Sequence, residues 1–185
     1  MSKETRKEII ADVASQLNTN PVWLDALINF ETAGTYSPTI KNPNSSARGL
    51  IQVIDSTARS DFGVSDSLEL VTHYPTFESQ MYNVVLPYLK KYAPYPSKQS
   101  LYMAVFYPAY RSVSPSKPFP ERVQKANTYT VNGKTITIDT PQKYIDFVDS
   151  RIKKETMHFP FLAVPAGMLI LAGTIGLYLW TKRES

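Results

Sequence analysis

The sequence predicts a mainly α fold with a small β element and hairpin, followed by one C-terminal transmembrane helix. Three observations carry that expectation. Apolar residues recur at helical spacing, behind capping residues, over most of the first 155 positions. A single stretch, "TYTVNGKTITID" (Thr128 to Asp139), alternates as paired strands do around Asn132–Gly133, the residue pair that favours a type I′ turn. Finally, Phe159 to Trp180 contains no charged residue.

The first helix is expected from Thr5 and Glu8, which have capping-box spacing, with Ile9, Ile10, Val13, Ala14 and Leu17 following at helical intervals. "NTN" ends it. Asn20 then caps a second helix with Pro21 in its first position, where a missing N–H costs nothing, and Trp23, Leu24, Leu27 and Ile28 form its apolar face. Gly34, Pro38, Asn42 and Pro43 mark a loop, and Gly49 to Val53 reads as a short buried strand. A helix capped by Asp55 runs toward Phe62. Thr76 to Tyr92 is helical with a kink expected at Pro87, and Ser100 to Tyr107 is an apolar helix. The last helix of the domain opens with Thr140 as cap and Pro141, and Tyr144, Ile145, Val148 and Ile152 form its inner stripe.

The uncharged run of 22 residues would span about 33 Å as a helix, against a hydrocarbon core of roughly 30 Å. Tyr178 and Trp180 stand at one end with Lys182 and Arg183 beyond, as at a membrane interface. The organisation expected is therefore a domain over 1–155, a short linker 156–158, a membrane span 159–180 and a basic tail 181–185. The amino terminus, MSKETRKEII, is charged and lacks the apolar stretch of a signal peptide.

Composition narrows the chemistry. With no cysteine there is no thiol nucleophile or disulfide, and two histidines, His73 and His158, offer little for zinc. No cofactor or metal is expected. A net charge of +4 suits an acidic surface, but no basic run is long enough to track nucleic acid. Twelve tyrosines suit a groove that stacks on sugars and equally an ordinary core with polar handles.

The residue that stands out is Glu31. It lies four residues after Leu27 and three after Ile28, so its side chain leaves from the apolar face of the second helix. A carboxyl there loses water, and desolvation raises its pKa, which is what a general acid for glycosidic cleavage requires.

"ETAGTYSP", then "ARGLIQV", then "DSTA" resembles the signature of the lytic transglycosylases, the lysozyme-like family related to goose-type lysozyme. That pattern is a catalytic Glu followed by Ser and a turn, then Gly-Leu-Met-Gln, then a Pro-x-Thr-Ala helix start. Here Thr32 stands for the Ser, Tyr36–Ser37–Pro38 for the turn and Ile51 for the Met. "AVFYPAY" resembles the later Ala-Tyr-Asn-Ala-Gly segment, placing Tyr107 at its tyrosine, and Tyr144 matches a terminal tyrosine on a helix opening Thr-Pro. Pro108, where the family has Asn, departs from the pattern. The resemblance covers roughly Asn20 to Ile152 and implies an α+β lysozyme-like domain.

What the resemblance implies is cleavage of the MurNAc–GlcNAc β-1,4 bond of peptidoglycan with a 1,6-anhydroMurNAc product. Glu31 would serve as acid and then base, and Gln52, Tyr107, Tyr144, Tyr36 and Thr32 would be the substrate-binding residues. Two alternatives stay open: a muramidase in which Asp55 or Asp61 positions water, and a membrane-anchored structural or peptidoglycan-binding protein with a degenerate site. Partners expected are peptidoglycan strands, a lipid membrane through 159–180, and other virion or envelope-complex proteins, with no nucleic acid. Such a chain would be carried by a bacteriophage virion, anchored in its membrane or in an envelope-spanning conduit for host entry, or else by a bacterial membrane.

Overall fold

A computed structural model describes residues 1–131 and 134–156. Helix α1 (Lys3–Gln16) begins one turn earlier than Thr5 and Glu8 suggest, because Ser2 is the cap: its Oγ accepts from the Thr5 N–H at 3.0 Å. Its buried face is Ile9, Ile10, Val13 and Ala14. Helix α2 (Pro21–Glu31) opens as its sequence indicates, with Asn20 Oδ1 accepting from the Val22 N–H at 2.8 Å and Pro21 in the first turn. Leu24, Leu27 and Ile28 on α2 are fully buried, each contributing about 1.5–3 kcal/mol by leaving water.

No strand forms at Gly49–Val53. Arg48 instead makes isolated antiparallel bridges to Lys41 and to Val53, and Gln52 between them takes a left-handed φ of +50° that no strand residue adopts. The short apolar run there is a tight buried turn. Helix α3 (Asp55–Phe62) starts with Ile54 at its cap and no side-chain cap bond. Asp55 lies in the first turn, and its carboxylate accepts from the backbone and hydroxyl of Ser67 at 3.0 and 2.7 Å, tying α3 to helix α4 (Ser67–His73).

The segment read as one kinked helix is divided. Helix α5 (Phe77–Gln80), opened by a Thr76–Ser79 capping box, runs into a π-helical stretch over Met81–Val85 and then helix α6 (Leu86–Lys90). Pro87 has no N–H to give and its ring crowds the preceding turn, and the wider π geometry accommodates it without a break. Helix α7 (Lys98–Phe106) is buried from Gln99 through Phe106, apolar on nearly every side as a central helix must be. A 3-10 turn over Pro108–Tyr110 and helix α8 (Glu121–Ala126) lead to strands β1 (Thr128–Val131) and β2 (Lys134–Thr137). These pair antiparallel with Thr128 opposite Thr137 and Tyr129 opposite Ile136. Their turn, Asn132–Gly133, lies outside the described residues. Helix α9 (Pro141–Thr156) follows, its first turn held by Thr140 Oγ1 accepting from the Lys143 N–H.

Helices α2, α6 and α9 pack against α7, α1 covers α2 and the π-helical stretch, and α2 also packs along α9. One apolar cluster runs through all of them. The fold class is therefore mainly helical with a two-stranded sheet, and the transmembrane helix expected as part of it is a correction. Among the described residues no helix is long and apolar enough to cross a membrane. The run 159–180 on which that expectation was placed lies outside the described residues.

Candidate active site around Glu31

Glu31 is the last residue of α2 and is 2% exposed, with its neighbours on the same face, Leu27 and Ile28, wholly buried. The helix ends there for a local reason. Ala33 at φ +49° and Gly34 at φ +76° turn the chain left-handed, with the Gly34 N–H bonded to the Asn29 carbonyl at 2.7 Å and the Ala33 N–H to Phe30 at 3.1 Å. That is a Schellman termination with an alanine where glycine is usual.

Among the described residues one side-chain donor reaches the carboxyl. The Tyr144 hydroxyl on α9 donates to Glu31 Oε1 at 3.4 Å, a long bond. Tyr144 is fixed by stacking on Phe106 of α7, with centroids 4.1 Å apart and planes 22° apart, and by an edge contact with Phe30 of α2 at 5.9 Å. Burial pushes the carboxyl up from 4.5 to about 8, and the Tyr144 hydroxyl offsets this only in part. At neutral pH Glu31 is therefore chiefly a neutral acid with a proton to give. Tyr144 is itself raised well above the ordinary tyrosine range by burial and by the adjacent Glu31.

The other residues expected at the site make these contacts within the fold. Thr32 is fully buried: its hydroxyl donates to the Ile28 carbonyl at 2.7 Å and accepts from the Tyr36 N–H at 3.0 Å. The Tyr36 hydroxyl donates to Asp25 at 2.8 Å, and the Arg6 guanidinium lies 3.8 Å above its ring, so Tyr36 packs against α1 and α2. Gln52 is buried, and its amide donates to the Gly49 carbonyl at 3.0 Å. Tyr107 is buried against Tyr110 and Phe119, at 5.0 and 6.0 Å between centroids. Of the five, Tyr144 alone hydrogen-bonds Glu31 among the described residues.

Gln80 is the position that sequence reasoning missed. It is buried on α5, its Oε1 accepts from the Leu50 N–H at 3.0 Å and its Nε2 donates to the Pro38 carbonyl, so it clamps both limbs of the loop after Glu31. Its spacing, three after Phe77 and four before Val84, put it on the apolar face and was the available signal.

Both aspartates named as possible partners are engaged. The Ser67 donors hold Asp55 below the usual carboxylate range despite the opposing push of burial, and Asp61 pairs with Lys91 at 2.8 Å. Among the described residues no three His, Cys, Asp or Glu side chains converge on a metal-sized site. Compared with protein-family models, curated proteins and solved structures, the chain matches none.

Proposed function

We propose that this protein is a peptidoglycan lytic transglycosylase. The observation that carries the reading is a single glutamic acid, buried at a helix end and held protonated at neutral pH. Such a group can protonate the glycosidic oxygen between MurNAc and GlcNAc, and the C1–O bond then breaks. The resulting carboxylate takes the proton of the MurNAc 6-hydroxyl as that oxygen bonds C1, closing the 1,6-anhydro ring. No water is consumed and Glu31 ends as it began. The engagement of Asp55 with Ser67 and of Asp61 with Lys91 favours this route over hydrolysis, which needs a second carboxylate for water or for the sugar.

A second reading, a peptidoglycan-binding or structural protein, is favoured by the same burial. At 2% exposure Glu31 meets a glycosidic oxygen only if its cover opens, and Gln52 and Thr32 already bond inward. Digestion of purified peptidoglycan with the full chain, followed by mass spectrometry of the ends, separates the readings. The proposal expects 1,6-anhydroMurNAc ends, lost in Glu31→Gln and retained in Asp55→Asn and Asp61→Asn. Reducing MurNAc ends would show a muramidase, and no new ends a binding or structural protein.

A further inference from the structure

Helix α9 is tied by backbone bonds at its start and by weaker polar contacts further on. The Gln142 N–H bonds the Pro115 carbonyl at 3.0 Å, and just before the helix the Phe119 N–H bonds the Asp139 carbonyl at 2.7 Å. Further along, Tyr144 gives Glu31 its 3.4 Å bond, and Asp149 pairs with Lys98 of α7 at 2.9 Å, both side chains about one-third exposed. A pair so exposed contributes little, since water and salt screen it. The far end of the helix is also incompletely packed: Asp149 and Ile152 of α9 line, with Trp23 and Ala26 of α2, a cavity of about 200 Å³.

The polar groups around this helix are poorly satisfied. Among the described residues three buried side-chain oxygens have no hydrogen-bond partner, and two of them, Tyr102 Oη and Asp139 Oδ1, border α9. Tyr102 sits on α7 near enough to Asp149 for that charge to oppose its ionisation, and Tyr102 acts in turn on Tyr144. Asp139 stands at the turn into α9, its other oxygen held by Lys143 at 2.7 Å. Glu31 adds a buried carboxyl with one long bond. A buried hydroxyl without a partner costs stability, and the cost is relieved when water reaches it. Docking of α9 is therefore favoured by the burial of Tyr144 and Val148 and opposed by the polar groups it covers.

From these contacts we infer that α9 is a hinged cover over Glu31, held closed in this structure, with a minor open form in which the helix swings about Asp139 and Thr140. The swing carries Tyr144 off the Glu31 carboxyl and lets water reach both that carboxyl and the Tyr102 hydroxyl. Because it also exposes Tyr144 and Val148, the open form is a small population in exchange with the closed one. The hinge lies where the backbone bonds to Pro115 and Phe119 anchor the chain, and the end that moves is the one bordered by the cavity and the exposed ion pair. That the opening admits a substrate to Glu31 rests on the function proposed above; the motion itself does not.

Hydrogen exchange of the full chain tests the cover, together with carbodiimide and glycinamide labelling of Glu31 read by peptide mass spectrometry. Relative to their unfolded rates, amides over 144–152 of α9 are expected to exchange about tenfold or more faster than those over 101–106 of α7, with Glu31 labelling following the α9 rate. Val13→Ala cuts packing in α1, which lies against α2 and the π-helical stretch. It should speed α7 exchange by about tenfold or more through global unfolding while leaving α9 exchange and Glu31 labelling within about twofold. Tyr102→Phe removes a hydroxyl that the opening hydrates, and should slow both α9 exchange and Glu31 labelling by about fivefold or more. Amides of α9 as protected as those of α7, Glu31 labelling that rises with Val13→Ala, or α9 exchange and labelling unslowed by Tyr102→Phe would each overturn the cover. An opening α9 in a protein that yields no new glycan ends leaves the cover standing and defeats the catalytic reading alone. Anhydro ends from a chain whose α9 opens only with global unfolding give the converse.

Discussion

Replacing Glu31 by Gln should make the protein more stable as it removes the candidate chemistry, and the gain should depend on pH. Burial sets the carboxyl at about 8 in the folded chain against an ordinary 4.5. Below pH 4.5 both folded and unfolded chains carry the proton and burial of the neutral acid is fully tolerated. Between 4.5 and about 8 the unfolded chain releases its proton while the folded chain keeps it, so folding grows less favourable as pH rises. Above about 8 both are ionised and the loss is complete. At roughly 1.36 kcal/mol per pH unit, the loss is about 3 kcal/mol at pH 7 and about 5 kcal/mol in full. Glutamine is isosteric, is neutral throughout and keeps a carbonyl oxygen for the Tyr144 hydroxyl, so it escapes this penalty. Any cost of its extra N–H donors is a constant offset. Urea unfolding of both full chains at pH 4, 7 and 9 reads the difference. The variant's relative stability should climb by about 3 kcal/mol from pH 4 to pH 7 and by about 5 kcal/mol by pH 9. Parallel pH dependence of the two proteins would refute the reasoning, because Glu31 would then titrate as an exposed carboxylate.

Tyr144→Phe removes the one donor among the described residues that lowers the Glu31 pKa, so the alkaline limb of the proposed wall-cleaving activity should move to higher pH. A limb left in place would show that the 3.4 Å bond does nothing for the acid. Gly49→Ala places a Cβ 2.6 Å from Gln80 Oε1 at a backbone φ of +80°, and should cost about 2–3 kcal/mol in chemical denaturation from left-handed strain and loss of part of the Gln80 clamp. A cost of only about 1–2 kcal/mol would leave the left-handed strain alone and mean that Gln80 moves aside freely, and stability within about 0.5 kcal/mol of wild type would refute both contributions.

The helices were legible because their signals are local. Asn20–Pro21, Thr140–Pro141 and the apolar spacing of α2 and α7 act within one or two turns of chain. Glu31 was legible for the same reason, since three-and-four spacing from Leu27 and Ile28 fixes its face. What lay beyond reach were pairings across long stretches of sequence. Asp55 is a plausible cap until Ser67 is folded against it, and Gly49–Val53 is a plausible strand until Gln80, thirty residues on, takes the Leu50 N–H. Tyr102 reads as any apolar-helix tyrosine, because its hydroxyl's lack of a partner among the described residues is a property of the packed neighbourhood and leaves no trace in periodicity.

The costs of this fold are not spread evenly. Among the described residues, Asn18, Ala33, Tyr36 and Gln52 are the non-glycine positions with left-handed φ, and the last three fall between Glu31 and Val53. Each such residue costs about 1–2 kcal/mol relative to an ordinary conformation and persists only where surrounding contacts over-determine it. Here those contacts are visible: the Thr32 hydroxyl holds Tyr36, the Gly49 carbonyl holds Gln52, and Gln80 holds the turn to the opposite limb. A loop serving only to join α2 to α3 gains nothing from that strain, since a relaxed connection of similar length would close the same gap at little entropic cost. Its cost is concentrated beside an acid whose burial is itself destabilising above pH 4.5. Left-handed strain at three positions and the burial of a carboxyl are two separate penalties in one segment, and both run against stability.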